Sequence, residues 1–138
     1  MRGRGAHALG PLLLAVLVAA GCGGASPKGR TVTFDDGGAF PPATIVGTYS
    51  AAGCGSDART VVGDARLYYV HSTGGLPPAD LYYHDLRLAF AHLQADGCTS
   101  RQLGAAMTSG LSARQRAFLL RNVASDLEHA FRAALDAS

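Results

Sequence analysis

The sequence predicts a mainly α protein, a small helical bundle that follows a flexible tether. Three observations predict it. The chain has 138 residues, 48% of them apolar, which is room for one hydrophobic core and no more. In the C-terminal half the apolar residues recur at helical spacing. The same half is punctuated by cap patterns and by stop signals such as Gly97 and Gly110. The segments follow as 1–21, a cleaved export signal; 22–40, a tether; and 41–138, a single domain.

Arg2, Arg4 and His7 precede thirteen residues, Ala8 to Ala20, that carry no charge. A permanent span needs roughly 20 apolar residues at 1.5 Å each, so this run suits a cleaved signal better than a membrane helix. It closes on Val18-Ala19-Ala20-Gly21-Cys22, which resembles the lipobox of bacterial lipoproteins: an aliphatic residue, small residues, then the cysteine that is lipidated. Ala19 stands where that family usually has leucine. The resemblance implies that the mature chain begins at Cys22, with a diacylglyceryl thioether and commonly a third, amide-linked acyl chain. Two or more acyl chains hold stably to a membrane where one binds marginally. The expected location is therefore the extracytoplasmic face of a bacterial membrane, anchored without spanning it.

Lipidation takes Cys22 out of the cysteine count and leaves Cys54 and Cys98 as the pair available in an oxidising compartment. Their disulfide closes a loop of about 45 residues and is expected to contribute about 4 kcal/mol. This completes the predicted fold class, a disulfide-stapled helical bundle.

Residues 23–38 are rich in Gly, Ser and Asp, with Val32 and Phe34 the main apolar exceptions, and read as tether. Asp35-Asp36-Gly37-Gly38 lacks the alternate-residue ligand spacing of a calcium loop and reads as a solvated turn. Pro41-Pro42 marks the entry to the domain, and Ala43–Ser50 reads as a short strand or a packed irregular segment.

Residues 58–70 support two readings. As a β-hairpin, giving an α+β fold, two arms flank the turn Gly63-Asp64. As a helix over 57–72, Ala58, Val61, Val62, Ala65, Tyr68 and Tyr69 form one stripe. The cysteines favour the helix, because antiparallel helices at 57–72 and 78–96 bring Cys54 and Cys98 together at their base. Gly63 mid-helix, at a cost of about 1 kcal/mol against alanine, favours the hairpin.

A helix over 78–96 places Tyr82, Leu86, Ala89, Phe90 and Leu93 on one face. Thr99 with Gln102 forms a capping-box pattern opening a helix over 100–108, and Ser112 with Gln115 opens another over 112–136. That last helix carries a stripe of Leu119, Leu120, Val123, Leu127, Ala130, Phe131 and Ala134, with Glu128 and Arg132 spaced as an i,i+4 pair on the other side.

The chain carries few residue patterns that support chemistry. His84 and His92 lie eight residues apart, about 12 Å along a helix, too far to share one metal ion. There is no GxSxG elbow, SxxK box or CxxC pair. No cofactor and no metal are expected. A charge of +2, all of it in Arg2 and Arg4, excludes an electrostatic case for nucleic acid. Without residues 1–21 the chain balances ten basic against ten acidic side chains. The expectation is a non-enzymatic envelope interaction or assembly module with a protein partner, its candidate binding surface being Tyr68, Tyr69, Tyr82 and Tyr83. The alternatives are a small envelope hydrolase using His71 or His84 with Asp85, or a small-ligand carrier using the tyrosines.

Overall fold

Ser50 adopts extended backbone and its hydroxyl accepts the Gly53 N–H at 2.9 Å, which opens the longest helix, α1, Ala51–Thr73. The computed structural model describes residues 27–38 and 40–138. The signal segment, Cys22 and the membrane attachment expected of it lie outside the described residues. Among the described residues no helix is long and apolar enough to cross a membrane. α1 begins six residues earlier than the periodicity places it and runs unbroken through 58–70, so the hairpin alternative is overturned. An added Cβ on Gly63 would meet nothing within 4 Å, so this glycine costs backbone entropy and nothing in packing.

Helix α2, Ala79–Ala95, returns against α1, and the Cys54–Cys98 disulfide joins the start of one to the loop beyond the other, with Cα atoms 5.4 Å apart. Helix α3, Ser100–Gly110, and helix α4, Ala113–Asn122, each start on a complete capping box, Thr99 with Gln102 and Ser112 with Gln115. Helix α5, Ser125–Ala137, packs mainly on α3. The shared core gathers Val61, Val62, Leu86, Leu103, Met107, Leu119, Leu127 and Phe131.

Two expectations need correction. The single helix over 112–136 is two, α4 and α5, with Val123 and Ala124 extended between them. In a continuous helix the Asn122 carbonyl would accept from residue 126 and the Ala124 N–H would donate to residue 120. Here the Tyr68 hydroxyl donates to the Asn122 carbonyl at 2.9 Å, and the Ala124 N–H donates to the Tyr83 hydroxyl at 2.8 Å. Two phenols from the α1–α2 pair thus satisfy the backbone groups that the break leaves open.

The second correction concerns the tether. Thr31–Phe34 is a strand, β1, paired antiparallel with β2, Ala43–Val46, with Val32 opposite Ile45. Alternation puts Val32 and Phe34 on one face, and Phe34 and Ile45 are buried against Ala91 and Ala95 of α2. The folded unit therefore includes residues assigned to the tether. The hairpin is fastened at the C-terminal end of α2: the Arg30 N–H donates to the Ala95 carbonyl at 2.7 Å and the Thr48 N–H to Asp96 Oδ1 at 2.8 Å. Backbone approaches closely there. A Cβ on Gly47 would lie 1.8 Å from the Ala95 carbonyl oxygen, and one on Gly97, at φ 76°, 2.2 Å from that of Lys28.

Candidate functional site

The turn between β1 and β2 folds over the N-terminal half of α2. Its two aspartates accept from backbone two residues on, Asp35 from the Gly37 N–H at 2.9 Å and Asp36 from the Gly38 N–H at 3.0 Å. This leaves Asp36 Oδ2 to pair with Nδ1 of His84. The side chains of the pair are 11% and 13% exposed. Hydrogen bonds from His84 and from the Gly38 backbone hold the Asp36 carboxyl below the usual carboxylate range. Phe40 stacks on the imidazole with ring centroids 4.0 Å apart, and Phe34 meets it edge-on at 5.5 Å. One histidine thereby holds the turn through its contact with the Asp36 carboxylate and two aromatic contacts.

Beside this pair lies a cleft of about 580 Å³, with Asp35, Phe40, Asp80, Leu81, Tyr83 and Arg87 among its lining residues. Arg87 is three residues beyond His84 and shares its face of α2. Its guanidinium lies 5.8 Å from the centre of the Tyr83 ring and bonds Tyr83 Oη and Asp126 Oδ2, each at 3.3 Å. Its Nε is buried and has no hydrogen-bond partner among the described residues.

The carboxylate of Asp36 orients the imidazole and leaves Nε2 as the remaining ring nitrogen, the arrangement of a general base. The described lining holds no serine, threonine or cysteine to be activated, so the arrangement suits recognition, or activation of a water, better than covalent catalysis. The acid beside His84 comes from the turn, in place of the neighbouring Asp85 that the hydrolase alternative named. Asp85 instead faces Asp64 across α1 and α2. Burial first, then the Asp85 charge, raises the Asp64 carboxyl. His71 has no carboxylate partner among the described residues; its ring packs on Tyr82 at 4.1 Å and its Nδ1 is buried without a partner.

Three of the four tyrosines gather around Tyr68 and Phe118, and Tyr82 packs elsewhere. Tyr68 packs on Tyr83 at 5.0 Å and on Phe118 at 5.4 Å, and Tyr69 meets Phe118 edge-on at 5.2 Å. Tyr82 lies against His71, and of the four Tyr83 alone lines the cleft. Sequence reasoning missed Asp36, Phe40 and Arg87. The period-2 run Thr31-Val32-Thr33-Phe34 ahead of Asp35-Asp36-Gly37-Gly38 was the available signal for a strand leading into a tight turn.

A second acidic cluster sits at the opposite end of α2. Asp57 of α1 hydrogen-bonds Asp96, and burial, followed by that bond and the Asp96 charge, pushes its carboxyl up to about 6. The Asp96 carboxyl is lowered, chiefly by the bond from Asp57. The two titrate together beside the disulfide, holding a proton between them below about pH 6. Among the described residues no group of three or more His, Cys, Asp or Glu is placed to hold a metal ion. Compared with family models, curated proteins and solved structures, the chain matches none, so its site is read from its own residues.

Proposed function

We propose that the protein is a lipid-anchored module of the bacterial cell envelope, held on the extracytoplasmic face through Cys22, that acts by binding a protein partner and is not an enzyme. The observation that carries the binding reading is the cleft over α2. Phe40 and Leu81 on its lining are 43% and 38% exposed, and Tyr83 and Arg87 adjoin them, the aromatic, apolar and arginine mixture typical of recognition surfaces. The anchor reading rests on the signal segment and on Cys22 at the close of the lipobox-like run.

Two measurements test it. A clickable fatty acid should label the wild type and miss Cys22→Ala; equal labelling of both rejects the anchor. A photoreactive residue at Leu81 should give a discrete adduct in intact cells that one at Arg121, on α4, does not; identical adducts at both positions reject the cleft as the recognition surface.

The Asp36–His84 pair favours a second reading, a small hydrolase in which His84 activates water, with Asp36 in the role assigned to Asp85. His84→Gln separates the two: loss of turnover on a panel of ester and amide substrates supports the hydrolase, and no turnover by the wild type removes it.

A further inference from the structure

The charges around the cleft do not cancel. Asp36 is engaged by His84, and Arg87 by Asp126 and Tyr83. Asp35 on the turn and Asp80 in the first turn of α2 both line the cleft, and among the described residues neither has a cation within ion-pair distance. The same lining carries the apolar and aromatic side chains of Phe40, Leu81 and Tyr83. An anionic ligand entering here would meet two uncompensated carboxylates, with Arg87 already neutralised. A guanidinium or ammonium would gain both of them, together with the exposed part of Phe40, whose other face is stacked on His84. An aliphatic stem leading to the charge would cover Leu81.

We infer that the cleft docks a segment of a partner polypeptide through an arginine or lysine set beside an apolar residue. The inference rests on the binding reading above and gives the partner its chemistry. The basic head lies between Asp35 and Asp80, and the neighbouring apolar side chain packs on Phe40 and Leu81.

The test uses the ¹⁵N-labelled chain from residue 22 onward and three capped peptides, Ala-Leu-Arg-Ala-Leu-Arg-Ala and its counterparts with Gln or Glu in place of Arg. Amide shifts on titration with the Arg peptide should centre on Phe40, Leu81 and Tyr83. Affinity should fall about fivefold in the Asp35→Asn/Asp80→Asn double variant, since two exposed ion pairs are lost together. It should weaken further between about 0.05 M and about 0.5 M salt. Asn at position 35 keeps the acceptor that the turn uses, and unchanged circular dichroism verifies the fold of the variant. Equal binding of the Gln peptide, shifts spread over Glu128 and Asp136, or no shift with any peptide overturns the inference. An adduct at Leu81 in intact cells together with failure of the Arg peptide rejects the basic partner alone; loss of that adduct as well rejects the binding reading.

Discussion

The β-hairpin meets α2 at two places, and they are held by different means. At the C-terminal end of α2 the contact is backbone on backbone: Arg30 to Ala95, Thr48 to Asp96, and glycines where no Cβ fits, all beside a disulfide. At the N-terminal half the turn is held by one side chain, His84, through Asp36, Phe40 and Phe34. The backbone hydrogen bonds at the first junction do not depend on any one side chain, although its glycines and its two cysteines cannot be exchanged without loss. A junction centred on one histidine opens when that residue is lost. The cleft lies at the second junction, which depends on fewer residues.

The largest expected break of this contrast comes from the staple. Cys54→Ser with Cys98→Ser should cost about 4 kcal/mol, on the order of 20 °C in Tm for a domain of this size. An unchanged melting curve would mean that the backbone contacts hold that end alone. Gly97→Ala should follow, costing about 2 kcal/mol through its positive φ and the Lys28 carbonyl in its path. Urea titration reads it, and a loss below about 0.5 kcal/mol would show that the Lys28 segment moves aside freely.

Acid acts oppositely on Asp57, at the first junction, and Asp36, at the second. Asp57 binds its proton more tightly folded than unfolded, so its contribution is complete below its ordinary value of 3.8 and is lost as pH rises through about 6. Asp36 is depressed, so its contribution is complete above 3.8 and is lost as pH falls through its lower folded value. Stability measured from pH 3 to pH 7 should therefore carry a component that declines between about 4 and 6, and Asp57→Asn should remove it. An unaltered slope in that variant would place the proton elsewhere.

Gly63→Ala, midway along α1 and away from both junctions, should add about 1 kcal/mol, because the new methyl meets open space. A loss of stability would contradict that packing. The smallest global effect is expected from His84→Ala. Hydrogen exchange should quicken at Gly37, Gly38 and Phe40 while Thr48 and Gly97 stay protected. Equal acceleration at both ends would erase the distinction between the junctions.

How far each feature was legible depends on the range of the interactions that make it. Both capping boxes and the bounds of α2 and α3 agree with expectation to within about two residues, because caps are satisfied within three residues of chain. The break between α4 and α5 was not legible. Its partners, Tyr68 and Tyr83, come from other helices, and the apolar stripe continues across it. β1 was hidden because four residues flanked by Gly and Asp form a strand only when β2 and Ala91 are in place. In the candidate site His84 was named and its acid was not. Asp85 follows it in the chain, but successive helical side chains point about 100° apart, and the carboxylate came from residue 36.

By itself the sequence determined the helical class, the caps, the exclusion of several catalytic motifs and, once Cys22 was set aside, which cysteines pair. These rest on local hydrogen bonding, periodicity and composition. The tertiary structure alone decided that the supposed tether contributes a strand, that two phenols keep one helix in two pieces, and that an aspartate, two phenylalanines and a histidine meet beside a cleft. Apart from the pairing of β1 with β2, whose partners lie 9 to 15 positions apart, these features join residues some 40 or more positions apart, and only the packing of the hairpin and α1 against α2 and the C-terminal helices brings them within contact distance.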